Sequence, residues 1–313
     1  MKRAITSIIV TVSLLASGLH AAEYIWNGSV NGDWADINNW EASGIPVTDA
    51  NGSVINAANT IRIKTGNFAP TINVPTFASS HNVNLTTPIF IIEGGASLSM
   101  ASYDANSYIG ATDMTAVTVE PGGSLMWTVA TSLTFGRNAG VQTYNINGTF
   151  TVSTPRLNLG YQVGALSHIN LDGGTFISTG TEIYTTRSTF ASAGDFNRIT
   201  LDNGSQFINQ GIFRMAGEAE GAYQTVQFDI KDTASSITFK LSKNAVRDFA
   251  TYASVTNSFG EFFISSTLGN DALRAIDNGD DTVTVIAVPE PGTISIFLIS
   301  GMTLMIYRRR IHH

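Results

Sequence analysis

Cysteine is absent from the 313 residues, so no disulfide staples the fold and no thiolate metal site exists. The fold must rest on burial and backbone pairing. Histidine is scarce, at five residues. His20, His312 and His313 sit at the two ends, which leaves His81 and His168 far apart, without metal-ligand spacing. No His-x-x-x-His pair, Gly-x-Ser-x-Gly elbow or phosphate loop occurs, which argues against zinc and Ser-His-Asp chemistry. Charge is also sparse, at 13% of residues. From Glu23 to Ala287 the chain holds 12 of the 17 Lys and Arg and 23 of the 24 Asp and Glu, a net charge near −11. Such a body does not suit nucleic acid as a partner.

Gly, Ser, Thr and Asn supply the polarity instead, among abundant Val, Ile and Phe. That mixture favours short strands and tight turns over helices. Strand-and-turn units recur: Ile91-Ile92-Glu93-Gly94-Gly95, Val117 to Gly123, Tyr144 to Gly148, Ile169 to Gly174 and Ile199 to Gly204. Their last glycines, at 95, 123, 148, 174 and 204, are 28, 25, 26 and 30 residues apart. An apolar residue follows each turn: Leu98, Leu125, Phe150, Phe176 and Phe207. A second marker runs between them, Tyr108-Ile109-Gly110, Leu133 to Gly136 and Leu157 to Gly160, with glycines 26 and 24 apart. Alternation within each unit puts one set of side chains inside and one outside. One unit cannot bury its own apolar face, whereas stacked units share a core. The expected fold is all-β: a parallel β-solenoid (β-helix) of roughly 25-residue coils over 61–221. A β-sandwich of hairpins is the rival, because Asn-Gly also makes hairpin turns.

The flanks differ. Residues 23–60 hold Trp26, Trp34 and Trp40 and are expected to cap the first coil. The alternative for the three indoles is a glycan-stacking platform. Their Trp-x-Gly, Asp-Trp, Asn-Trp and Ile-Pro pattern resembles the opening segment of exported autotransporter-like β-solenoid passengers. Residues 222–287 are expected to form a C-terminal β cap or a small β-domain stacked on the solenoid. It would contain a hairpin over Val226 to Leu241, a short helix over 244–252, and closing strands at Phe259–Ile264 and Thr282–Ile286 around a turn at Asp277–Asp281. That turn is the densest oxygen cluster. Lacking EF-hand spacing, it reads as a hairpin turn, with weak calcium binding as the alternative.

Glu93, Glu120, Asp172 and Asp202 occupy equivalent places before the glycine turns. They are either turn formers or a paired-carboxylate row of a polysaccharide lyase or hydrolase. Asn145 and Asn147 break the row in the middle unit, which favours turns and assigns no catalytic residue.

Both ends indicate export. Lys2-Arg3, the apolar Ile5–Leu15 and the small residues leading to Ala21-Ala22 form a signal peptide over 1–22. Cleavage is expected after Ala22, with Ala21 as the alternative. At the other end, 288–313, Val288-Pro289-Glu290-Pro291 is followed by an uncharged run from Thr293 to Tyr307 and then Arg308-Arg309-Arg310. The prolines end the preceding fold. The run is short for a span of roughly 20 residues but suits one membrane helix, and the arginines suit a cytoplasmic end. The order Pro-Glu-Pro, short apolar helix and terminal arginines resembles the PEP-CTERM sorting signal of exported Gram-negative proteins. That resemblance implies export machinery and an exosortase-type membrane protease as partners. It also implies passage through the inner membrane to the cell surface or matrix, and a link to exopolysaccharide and biofilm. The expected function is a non-enzymatic structural or adhesive surface protein without cofactor. The alternative is a β-helix that acts on or binds polysaccharide.

Overall fold

The computed structural model describes residues 23–34, 36–41, 54–55, 60–67, 69–73, 84–85, 89–102, 106–109, 116–136, 140–160, 165–180, 182–185, 197–215, 226–240, 262–269 and 272–288. The expected signal peptide, the helix over 244–252 and the membrane helix over 293–307 lie outside them. Within the described residues there is no α-helix, only strands and one 3-10 turn at Ile37–Asn39.

The strands stack in three parallel ladders. The first runs from Tyr24–Trp26 through Thr60–Ile63, Ile89–Ile92, Ala116–Val119, Gly140–Ile146, Ala165–Asp172 and Asn197–Asp202 to Val226–Ile230 and Phe262–Ser266. The second runs through Thr71–Asn73, Ser97–Ser102, Ser124–Val129, Thr149–Ser153 and Thr175–Ser178. The third comprises Val54–Ile55, Asn84–Leu85, Asn106–Ile109, Ser132–Phe135, Arg156–Leu159 and Glu182–Thr185. The long strand Gln206–Met215 serves two faces. Its first part stacks on Thr175–Ser178 and its second on Glu182–Thr185. The chain is a parallel β-solenoid, and the rival sandwich of hairpins is ruled out by the pairing.

Register fixes the period. On the first ladder Phe90, Val117, Tyr144, Ile169, Ile199 and Phe228 lie one above another, in steps of 27, 27, 25, 30 and 29 residues. The variation is confined to the connections, because a one-residue slip within a strand would turn its apolar set outward. On the second ladder Leu98, Leu125, Phe150, Phe176 and Phe207 align, each almost wholly buried. Rings join both along and across the ladders. Phe176 stacks on Phe207 at 5.1 Å and 5°, and Phe207 meets Phe228 edge-on at 5.3 Å. Phe135 sits 4.7 Å from Tyr144 and 5.7 Å from Phe150. These arrangements suit the quadrupoles of aromatic rings.

The expected hairpin over Val226 to Leu241 does not form. Val226–Ile230 lies parallel between Asn197–Asp202 and Phe262–Ser266, and Ser236–Lys240 stacks parallel on Gln206–Met215. The two alternating runs are two faces of one further coil, so parallel stacking continues past residue 221. A true hairpin follows: Leu273–Asp277 pairs antiparallel with Thr282–Ala287, which also pairs antiparallel with Ser236–Lys240.

The corner glycines have two distinct duties. Gly122 has φ +81°, a left-handed conformation that L side chains rarely adopt. Gly174 instead fills a gap too small for any side chain, since a Cβ there would sit 1.9 Å from the Ile146 carbonyl oxygen in the coil before. Gly174→Ala is therefore expected to lower stability by about 1–3 kcal/mol or more. The outward Ser124→Ala should change it by less than about 0.5 kcal/mol. Thermal and urea unfolding of the two variants would check this.

Candidate functional site

The three tryptophans come together, as their spacing suggested, but they face inward. Tyr24–Trp26 pairs antiparallel with Trp40–Glu41, which sets Trp26 opposite Trp40. Trp26 and Trp34 stack at 6.0 Å and 11°, and Trp40 stands edge-on to both, at 5.3 and 4.6 Å. Trp40 Nε1 donates to the Trp34 carbonyl at 3.0 Å. Exposure is 0% for Trp26, 5% for Trp34 and 7% for Trp40. Stacking on a sugar needs an open ring face, so the glycan-platform alternative for these residues is corrected: they are core.

The fully buried Asn39 amide knits the loop around them. Its oxygen accepts from the amides of Val30 (2.9 Å) and Asn31 (3.1 Å). Its nitrogen donates to Asn31 Oδ1 (2.7 Å) and the Asp33 carbonyl (3.0 Å).

The carboxylates expected to align do so. Register and inter-coil bonds place Glu93, Glu120, Asn147, Asp172 and Asp202 on successive coils at one corner. Each acid is engaged locally. Glu93 accepts from Arg62 at 3.3 Å, and Arg62 also meets Glu23 at 2.6 Å. Glu120 accepts from the Gly94 amide at 3.3 Å, Asp172 from the Asn203 side chain, and Asp202 from the Asn203 amide at 2.9 Å. The Asp202 bond shapes its own turn and the others tie neighbouring coils together, which is a structural role. Among the described residues no three His, Asp or Glu side chains gather where they could hold a metal ion.

At Asp277–Asp281 the side chains build a hairpin turn. Asp277 accepts from the Gly279 amide at 2.8 Å and Asp280 from the Thr282 amide at 3.1 Å. Asn278 donates to Thr282 Oγ1 and Thr284 Oγ1, both at 2.9 Å. The Thr282 hydroxyl bond, first among several causes, holds the Asp280 carboxyl below its ordinary range.

Of the sorting segment only Val288 is described. Its amide donates to the Ala272 carbonyl at 2.8 Å, directly after the last strand. Pro289, Glu290, Pro291, the run from Thr293 to Tyr307 and Arg308 to Arg310 lie outside the described residues. Among the described residues no helix is long and apolar enough to cross a membrane.

Two polar devices had not been expected. One is the corner after the third ladder. There Asn197 accepts from the Ser167 amide at 2.8 Å and donates to the Leu159 carbonyl at 3.1 Å, while Ser167 Oγ donates to the Phe135 carbonyl at 2.9 Å. Tyr144 accepts from the Gly136 amide at 3.1 Å and donates to the Ile109 carbonyl at 3.2 Å. Complete burial pushes its hydroxyl pKa far up. Ser167 and Tyr144 add a second donor to the Phe135 and Ile109 carbonyls, which the Gly160 and Gly136 amides already meet, and through these bonds the buried side chains of Asn197, Ser167 and Tyr144 find their own partners. The only sequence signal is polar residues on otherwise apolar inward positions.

The other device is Asp232, the corner before Ser236–Lys240. Its carboxylate accepts from the Ala234 amide (2.6 Å), the Ser235 amide (2.8 Å), Ser235 Oγ (2.6 Å) and, one coil back, the Gly204 amide (3.3 Å). Burial opposes its ionisation, but these bonds outweigh burial and leave the pKa below the usual value.

Comparison with protein-family models, curated proteins and solved structures finds no match to this chain.

Two outcomes are expected. Trp26→Ala should cost about 3–5 kcal/mol, read from chemical denaturation, because the ring is enclosed on every side. Asp232 has its pKa lowered on folding, so its stabilisation is complete above its unfolded pKa of about 3.9 and fades as pH falls through the folded value. The stability gap between wild type and Asp232→Asn should therefore be constant near neutrality and shrink below about pH 4. Melting temperatures taken across pH would measure it.

Proposed function

We propose that the chain is an exported, non-enzymatic surface or matrix protein whose solenoid body serves a structural or adhesive role. A C-terminal PEP-CTERM-type signal would sort it, with an exosortase-type protease as processing partner. The observation that carries this reading is the order Pro289-Glu290-Pro291, uncharged Thr293–Tyr307, and Arg308-Arg309-Arg310. The signal-like N-terminus agrees with it.

The geometry is compatible with the same reading. The last described strand ends at Ala287, so the motif would follow it without a long spacer. The enclosed indoles near the N-terminus and the antiparallel hairpin at the other end support the idea that both ends of the stack are capped. The local engagement of Glu93, Glu120, Asp172 and Asp202 supports a structural use of those acids.

The test is intact mass and cell fractionation of the protein from its own host, with and without alanine at Pro289, Glu290 and Pro291. Wild type is expected as a species starting near Glu23, ending near Val288 and lying outside the inner membrane. The triple-alanine variant should keep its tail. Equal processing of both proteins would rule out sorting through this motif.

A further inference from the structure

The outward side of the second ladder differs from that of the first. From Ser97–Ser102 through Ser124–Val129, Thr149–Ser153 and Thr175–Ser178 to Ser236 and Thr238, no outward side chain is charged. They are Ser, Thr, Ala, Gln, Met and Ile. Their middle row includes Met126, Thr151, Ile177, Ile208 and Thr238 at successive coils, with Met126 48% exposed. The row continues across the terminal hairpin, where the Thr238 and Thr284 hydroxyls meet at 2.9 Å and Ile276 is 46% exposed. Charge returns at the margin, with Lys240, Arg274 and the acidic hairpin turn at Asp277–Asp281. The outward side of the first ladder, by contrast, carries Arg62, His168, Arg198 and Asp229.

We propose that this plane is a self-pairing face, on which a second copy of the chain docks sheet against sheet. Three arguments favour a copy of itself as the occupant. The body carries a net charge near −11, so two copies repel wherever charged surfaces meet, and this face avoids that cost. Its small hydroxylated and apolar side chains suit close sheet packing, whereas it offers no aromatic ring to a sugar and, inside the margin set by Lys240 and Arg274, no cation to a polyanion. Its size is adequate: eight strands about 4.8 Å apart, each about five residues long at ~3.3 Å per residue, give about 600 Å² per copy. A pair then buries roughly 1,200 Å², the lower bound for a standard specific interface. Such an interface is isologous, so its two-fold axis passes near the centre of the plane, beside Ile177 and Ile208.

The absence of native cysteine makes the test clean. In the full chain, Ile208→Cys on this face and Thr118→Cys on the outward side of the first ladder would each be treated with a bismaleimide spanning about 10 Å, the separation of packed sheets. Ile208→Cys should give a covalent dimer in at least about tenfold higher yield. Adding Ile177→Lys, a charge on an outward position that leaves the core intact, should abolish that yield. Equal yields at the two positions, no dimer at either, or a dimer indifferent to Ile177→Lys would overturn the proposal. So would retention of the Ile208→Cys protein on a neutral glycan without dimer formation, which would assign the face to a polysaccharide. The cross-link forms whether or not the tail is processed, so it stands apart from the sorting test.

Discussion

The spacing between successive coils governs this molecule. Parallel strands hydrogen-bonded to one another lie about 4.8 Å apart, and the chain must also turn its corners within that rise. At the turn between the first and second ladders, the coil before leaves no room for a side chain at Gly174 and little at Gly123 or Gly148. Register places Ala96, Gly123, Gly148 and Gly174 at this corner on successive coils, and Ser205 and Ser235 fill the same place further on. Small residues recur there because the neighbour above and the neighbour below demand it. The repeat in the sequence is a record of that contact.

Inside, the demand is reversed, for the rings must be large enough to meet across the coil. Phe135, Tyr144, Phe150, Phe176, Phe207, Phe228 and Phe239 form an unbroken chain of ring contacts along the stack. Replacing one removes support from the coils on both sides, which is how a solenoid without disulfides becomes cooperative. The polar corner at Asn197, Ser167 and Tyr144 complements this core by bonding to the Leu159, Phe135 and Ile109 carbonyls, so that its own buried polar groups are partnered.

The parallel solenoid was legible because two markers share one period, and a shared period has few physical causes. Alignment of Glu93, Glu120, Asp172 and Asp202 followed from the same period. The hairpin expected at Val226 to Leu241 was misread for a definite reason. Val226, Phe228 and Ile230 alternate, Asp232 to Ser235 turn, and Ile237 and Phe239 alternate again, and that pattern is identical for a hairpin and for two faces of one coil. Only the partner strands distinguish them, and these lie about thirty residues away. The tryptophans were recognisable as a cluster, but their burial depends on the Asn39 bonds that fold the loop over them. Asn197 went unnoticed because an asparagine at the start of a strand, between Phe196 and Arg198, reads as a loop residue, and only its alternation with Ile199 and Leu201 marks it as inward.

The end of the fold has a mechanical consequence. Thr282–Ala287 is held on both flanks, by Ser236–Lys240 on one side and Leu273–Asp277 on the other, and Val288 is bonded to Ala272. Tension applied at Val288 therefore reaches a strand clasped between two others before it reaches any coil. A pull along that strand loads its two rows of backbone bonds together in shear. A pull across it opens them one at a time. The direction of force on the terminus thus decides whether the stack behaves as a rod or frays from its end.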